Sequence, residues 1–363
     1  MKKKILFFTP FFGRSGSEVV MYNLISNINR DLFDIALVTR QDGQMLRRLD
    51  RTIPVHTYSP DLLTNSNKQS QFISKLYARY QSHVWYINTL VQHYIVKSAK
   101  MLNIPCIVHT HEMEEMLGNL HRTDVQNLID YPRLIISCSK ANEQVYRILG
   151  RKKPHEVCYP CIDIEEIKAN PQRSILIREQ MGVKQSDFLW AMSGRDDNNK
   201  DPLFFVEFAR ELLEDAPNAR FCWVGGRFMS GYSTFAMEKA RFLGIDDKIT
   251  WVGHQDDEYY DYLNSIDGFV LTSGRDSFSL VVLEALSLGK PVIASDNGGA
   301  REQVKKNMGI VVNHRTPVSM AKAALEVMNN RQQFDETEMI ENSRQYDVSI
   351  QVKKWENILL KYS

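Results

Sequence analysis

Short apolar runs alternate with helical patterns along the whole chain. KKILFFTP, DIALVT, HVWYIN, IPCIVHT and LIISCS read as buried strands, each followed by a periodic or polar segment. SEVVMYNLISNI, after the first of them, has helical spacing. The pattern then restarts. DFLWAMSG is a strand and DPLFFVEFARELLED a strongly amphipathic helix. ARFCWVGG, KITWVGH, IDGFVLTS, KPVIAS and MGIVVN follow as strands with helices between them. Strands that alternate with helices predict parallel sheets covered on both faces. The stretch IEEIKANPQRSILIREQMGVKQSD is a polar linker running into a helix. The final VSIQVKKWENILLKYS is a helix with Val352, Trp355, Ile358 and Leu359 along one side.

The reading is therefore α/β, with two Rossmann-like domains facing a central cleft. The first covers residues 1–165, the second 166–345, and a C-terminal helix at 346–363 packs back on the first. A length of 363 residues fits two cores better than one. No apolar run reaches the roughly 18 residues that span a bilayer. The segment MKKKILFFTPFF is short and broken by Pro10, which favours a first strand over a signal peptide. Five cysteines form no framework spacing and fit a reducing compartment, so a cytoplasmic location is expected. Net charge is +1, which excludes binding of nucleic acid through bulk charge. Residues 1–165 carry 21 Lys and Arg against 15 Asp and Glu, and residues 166–363 carry 24 against 29. A basic front half suits anionic headgroups or an anionic acceptor, and equally arises by chance.

Open α/β sheets bind ligands beyond the carboxyl ends of their strands. After the first strand, FFGRSGSE offers Gly13 and Gly16 for a tight turn, with a helix starting near Ser17; this is either a phosphate contact through the helix N–H groups or a plain strand-to-helix turn. After IPCIV, HTHEMEE places His109, His111 and Glu112 at a strand end. Glu115 stands where a zinc-protease pattern needs a second His, so no metal site is read there. CYPC, Cys158 to Cys161, has redox or zinc spacing but no helix after it and no second pair, and two incidental thiols are the default. SGRDDNNKDP sets Arg195 and Lys200 around a polar loop, a clamp for a diphosphate or a solvated turn. DSFSLVVLEALSLGKPVIASDNGGARE follows another strand. Ser277 is the expected N-cap, and a helix over 280–288 puts Val281, Glu284, Ala285 and Leu288 on one face. An unpaired Glu284 within the apolar LVVLEAL would be costly, which argues for a partner.

These pieces together resemble retaining glycosyltransferases of family 4, which have the two-domain GT-B fold. DSFSLVVLEA, GKPVIA and GGARE are similar to the family's C-terminal motif, SGRDDNNKDP to its phosphate loop, and GRSGSE and IPCIVHTHE to its N-terminal turn and strand. ISCSKANEQVYRILG and CYPCIDIEEI complete the series. Asp276 replaces the family's usual Glu, Ser277 and Ser279 replace glycines, and Pro160-Cys161 replaces Asn-Gly.

The resemblance implies a retaining transferase that moves a sugar from a nucleoside diphosphate, UDP- or GDP-linked, to a hydroxyl of a glycan, lipid-linked or small-molecule acceptor, as in bacterial surface polysaccharide synthesis. It implies no metal and no cofactor beyond the donor. His111, Arg195, Lys200 and Asp276 would serve catalysis. The donor would meet Gly16, Ser193, Gly194, Arg195, Lys200, Gly253, His254, Asp276, Phe278, Ser279, Leu280, Val281 and Glu284, with Glu284 on the ribose. Arg14, Ser15, His109 and Glu112 would meet the acceptor. The segment 65–81 reads either as a membrane-contact helix, giving peripheral attachment at the inner membrane face, or as a buried helix with a solvated side. Two alternatives stand beside this: a sugar-nucleotide epimerase on the same fold, and a non-catalytic sugar-nucleotide-binding subunit.

Overall fold

The computed structural model describes residues 2–40, 43–58 and 66–363, with backbone alone at 66–70. The chain divides into two compact units, Met1–Ile162 with Tyr346–Ser363, and Asp163–Gln345. Each is built on one parallel sheet, as the alternating pattern predicts.

The first unit holds β1 (Lys3–Thr9), β2 (Phe33–Thr39), β3 (Val55–Thr57), β4 (Val84–Asn88), β5 (Cys106–Thr110), β6 (Leu134–Ser137) and β7 (His155–Val157). Their order across the sheet is β3-β2-β1-β4-β5-β6-β7. β4, β5 and β6 are buried along their full length, which explains their unbroken apolar runs. The Ser66–Tyr80 helix turns Ile73 and Leu76 into the core beside Trp85 and Ile95. Of the segment 65–81, residue 65 lies outside the described residues. The C-terminal helix Val348–Tyr362 belongs to this unit and packs on the Gly16–Asn27 helix, burying Val352, Trp355 and Leu359. Asp347 caps its start through the Ser349 N–H at 2.9 Å. All five cysteines are buried as thiols outside any disulfide, and burial pushes the Cys158 thiol well above its ordinary value.

The second unit holds β8 (Phe188–Ser193), β9 (Ala219–Val224), β10 (Ile249–Gly253), β11 (Gly268–Leu271), β12 (Val292–Ser295) and β13 (Gly309–Val312), in the order β10-β9-β8-β11-β12-β13. Its core gathers Trp190, Phe205, Phe208, Trp223 and Phe269. The order reverses at β8, whose neighbours are β9 and β11. The carboxyl end of β8 is thus the switch point at which such sheets bind ligands. Among the described residues, no helix is long and apolar enough to cross a membrane.

Candidate active site

β8 ends at Ser193, and the chain then turns through Gly194 to a polar loop that closes on the Pro202–Asp215 helix. Gly194 has φ +147°, and a Cβ there would lie 3.2 Å from the Lys200 side chain, so the lysine stem lies across the bare glycine. Asp201 caps the helix from a left-handed conformation, its Oδ1 accepting from Phe204 N–H at 3.0 Å. The Arg315 guanidinium donates to Asp201 and lies 3.8 Å over the Phe204 ring. The Thr272 hydroxyl donates to the Lys200 carbonyl at 2.6 Å. Lys200 is therefore held at both its main chain and its side chain.

The side-chain anchor is Asp276. Lys200 Nζ lies 2.7 Å from Asp276 Oδ2, and both side chains are largely buried. The Ser273 hydroxyl donates to the same carboxylate oxygen at 3.3 Å. The Asp276 main chain is stitched to the Asn297–Gly299 turn. Its N–H donates to the Asn297 carbonyl at 3.1 Å, and Gly299 N–H donates to the Asp276 carbonyl at 2.9 Å. A Cβ on Gly299 would sit 2.2 Å from the Ser277 carbonyl oxygen, which explains the glycine of GGARE.

The helix of the LVVLEALS segment runs Leu280–Ser287, and its N-cap is Ser279 rather than the expected Ser277. The Ser277 carbonyl is committed to the close approach of Gly299, while Ser279 is gripped on both sides by Gln303. Ser279 N–H donates to Gln303 Oε1 at 3.1 Å, and Gln303 Nε2 donates to the Ser279 carbonyl at 2.7 Å. The Ser279 hydroxyl is buried and has no hydrogen-bond partner among the described residues. Such an orphan beside a helix N-terminus marks a place for an acceptor oxygen.

Glu284, one turn into the helix, has the partner its apolar surroundings demand. Tyr259 Oη donates to Glu284 Oε2 at 2.9 Å. Burial, and then the Glu284 charge, raise the Tyr259 phenol well above its ordinary value, so it stays protonated. Since its single proton goes to Glu284, the Ser193 hydroxyl 2.9 Å away donates to the Tyr259 oxygen. Asp276 and Glu284 are thus tied separately to the end of β8, one through Lys200 and one through Tyr259 and Ser193.

The remaining expected groups are less gathered. Arg195 is 73% exposed and pairs with Asp197 at 3.0 Å, so it does not share the Lys200 anchor. Gly253 accepts from Gly225 N–H at 2.7 Å, and His254 is exposed, 3.4 Å from Asp256. Phe278 is buried, and Leu280 and Val281 are partly exposed at the helix start. Tyr259, Thr272, Ser273, Asn297, Gln303 and Arg315 were not singled out from sequence. Only the need for a Glu284 partner pointed toward one of them.

In the first unit, Ser15 caps the Gly16–Asn27 helix in a capping box, its N–H donating to Glu18 Oε2 at 2.8 Å. Arg14 and Gly16 are exposed beside it. At the end of β5, His111 Nε2 is 2.9 Å from Asn88 Oδ1, and the His109 and His111 rings are 4.1 Å apart. His109, expected at the acceptor, is only 1% exposed, with Nδ1 2.7 Å from Tyr86 Oη. It backs the His111 ring rather than facing outward. The Glu112 carboxylate turns inward to Leu90 N–H at 3.2 Å and His111 N–H at 3.0 Å, and burial raises its pKa. Among the described residues, no group of three His, Cys, Asp or Glu is placed to hold a metal ion.

Residues 174–346 match the model of the family described as glycosyl transferases group 1. A curated Escherichia coli relative, UDP-Gal:alpha-D-GlcNAc-diphosphoundecaprenol alpha-1,3-galactosyltransferase, is 25% identical over 80% of this chain and 79% of its own. D-inositol 3-phosphate glycosyltransferase from Nocardia farcinica is 26% identical over 57% of this chain, and the match spans about half, 47%, of its length. Among solved structures, Anabaena HepE in complex with UDP-glucose aligns with a TM-score of 0.85 at 20% identity, covering 99% of each chain. The lipopolysaccharide outer core galactosyltransferase WaaB aligns at 0.75 with 15% identity, again over 99% of each chain. These structural matches show that the fold is that of GT-B glycosyltransferases.

Proposed function

We propose, from the match of residues 174–346 to the model of the glycosyl transferases group 1 family, that the protein is a retaining glycosyltransferase that uses a nucleoside-diphosphate sugar. One observation carries the reading: two acids eight residues apart are each anchored to the end of β8, on either side of a helix start with an orphaned hydroxyl. A nucleoside-diphosphate sugar presents a ribose diol, a diphosphate and a sugar ring. Glu284, oriented by Tyr259, accepts from the ribose hydroxyls. The Ser279 hydroxyl and the N–H groups of Leu280 and Val281 receive phosphate oxygens. Lys200 and the exposed Arg195 neutralise charge on the leaving diphosphate. Asp276 contacts sugar hydroxyls, and Ser193, Gly194, Gly253, His254 and Phe278 line the donor.

In the first unit, Gly16 lies at a helix N-terminus suited to phosphate, and Arg14 and Ser15 beside it meet the acceptor. His111 serves the sugar, supported by His109 and Glu112. The acceptor hydroxyl attacks from the leaving-group face and the departing phosphate takes its proton, so retention uses no protein nucleophile. This differs from a retaining glycosidase, which needs two close carboxylates. With cations in the leaving-group role, the chemistry requires no metal and no cofactor beyond the donor.

The diphosphoundecaprenol-linked acceptor in the name of the E. coli relative supports a lipid-linked glycan acceptor, peripheral attachment at the inner membrane face, and a role in surface polysaccharide synthesis. UDP is the favoured nucleotide, given the UDP-glucose complex of the structural neighbour. The test is transfer from UDP- and GDP-sugars to undecaprenyl-diphosphate-linked GlcNAc, with the product anomer assigned by proton NMR. An α-donor should yield an α-linkage. A β-linked product would overturn the retaining mechanism, and no transfer from any donor would overturn the enzyme reading.

A further inference from the structure

Lys200 is followed at once by a residue in an uncommon backbone state. Asp201 has φ +56°, in the left-handed region, and Pro202 opens a helix directly after it. A residue with a Cβ stays in that region only where its surroundings hold it there. The Asp201 carboxylate is held from three sides. Oδ1 accepts the Phe204 N–H at 3.0 Å and the Tyr232 hydroxyl at 2.6 Å. Oδ2 accepts from the Arg315 guanidinium, and both side chains of this ion pair are largely buried.

Arg315 does more than neutralise Asp201. Its Nε and Nη2 both donate to the Thr272 carbonyl, at 3.2 and 2.8 Å. The Thr272 hydroxyl in turn donates to the Lys200 carbonyl at 2.6 Å. One guanidinium therefore grips the strand end that holds Lys200 and also the residue that follows Lys200. A planar fork serves both acceptors at once while its face lies 3.8 Å over the Phe204 ring, a geometry that an ammonium does not offer. The root of the side chain is fixed as well. Arg315 leaves the turn between β13 and the Pro317–Asn329 helix, where Thr316 closes a capping box. The His314 carbonyl there accepts from Thr316 N–H at 3.0 Å and from the Ser319 hydroxyl at 2.6 Å. Since Nε and Nη2 are committed within the protein, Arg315 acts through Lys200.

We propose that Arg315 is a positioning residue for the transfer reaction: it sets the loop after β8 so that Lys200 carries its ammonium to the diphosphate of the donor. The proposal rests on the glycosyltransferase reading of this site.

The experiment is titration calorimetry of the full chain with UDP or GDP, whichever the wild type binds, and with the matching nucleoside by competition. Arg315→Met should weaken diphosphate binding about tenfold while nucleoside binding stays within about twofold, because only the diphosphate meets Lys200. In a Lys200→Met background the same change should weaken binding no further, since effects that run through one group do not add. Arg315→Met with Asp201→Asn removes the charge that the single change leaves buried, so it should recover the melting temperature but not the diphosphate affinity. Unchanged diphosphate affinity in a folded Arg315→Met chain would overturn the proposal. So would an equal loss for diphosphate and nucleoside, or a full further loss in the Lys200→Met background. If Arg315→Met fails to fold, the variant that also carries Asp201→Asn decides the matter by its diphosphate affinity. A wild type that binds neither nucleotide would overturn the donor reading and the proposal with it, whereas a wild type that binds and an Arg315→Met chain that binds equally well overturn the proposal alone.

Discussion

Lys200 Nζ sits 2.7 Å from Asp276 Oδ2, joining the loop after β8 to the loop after β11. The pair joins two loops that are 76 residues apart in sequence. Removing one partner leaves the other as a partly buried charge with no counter-ion. Lys200→Met should therefore weaken donor binding by about 100-fold and also lower the melting temperature. Lys200→Met with Asp276→Asn should regain most of the melting temperature but not the binding. Calorimetric titration and thermal scans of both variants check this; equal melting of the single and double variants would contradict it.

Tyr259→Phe removes one oxygen from the Ser193–Tyr259–Glu284 chain and keeps the ring packing. Hydrogen bonds to a charged group contribute about 1.5–3 kcal/mol. The variant should raise the donor KM roughly tenfold with little change in kcat, measured in steady-state transfer. An unchanged KM would show that Glu284 is oriented without it.

Gly299→Ala places a methyl where the Ser277 carbonyl already is, 2.2 Å away. The turn must shift, pulling on Asp276 through the Gly299 N–H. A cost of about 1–3 kcal/mol is expected in urea unfolding. Gly274→Ala serves as the control, since a Cβ there meets nothing within 4 Å.

Among the described residues of the first unit, burial lowers the pKa of four histidines: His56, His109, well below its ordinary value, His111, to about 3, and His155, to about 4. Their folded pKa values lie below the unfolded one, so the unfolded chain binds more protons as pH falls. The stability they permit is fully present above about pH 6.5 and is lost as pH drops toward 4. The urea midpoint of this unit, followed by fluorescence, should be lower at pH 5 than at pH 7.5. A flat profile would mean that these rings take up protons in the folded state.

Much of this was legible in the sequence because parallel strands buried on both faces leave unbroken apolar runs such as HVWYIN and LIISCS. The need for a Glu284 partner was legible too, from an acid inside LVVLEAL. The identity of that partner was not. Tyr259 lies 25 residues earlier on another helix, and no periodicity links the two. Ser277 looked like the N-cap because serine at a strand-to-helix turn favours that role. Local preference could not foresee Gly299 closing on the Ser277 carbonyl or Gln303 reaching back to Ser279. His109 looked as available as His111, because the pattern does not show that the strand ends at Thr110, with His109 inside it and His111 beyond it. Asn88 gave no signal, since its contact with His111 depends on the register of β4 beside β5.

Glu284, held by Tyr259, is the central anchor proposed for a nucleotide sugar. Isothermal titration of wild type and Glu284→Ala against UDP, GDP and their hexose conjugates measures that role without requiring the acceptor. Wild type should bind one nucleotide series, and Glu284→Ala should bind it at least tenfold more weakly while keeping its melting temperature within a few degrees. Undiminished binding of the same ligands by a folded Glu284→Ala chain would contradict the account.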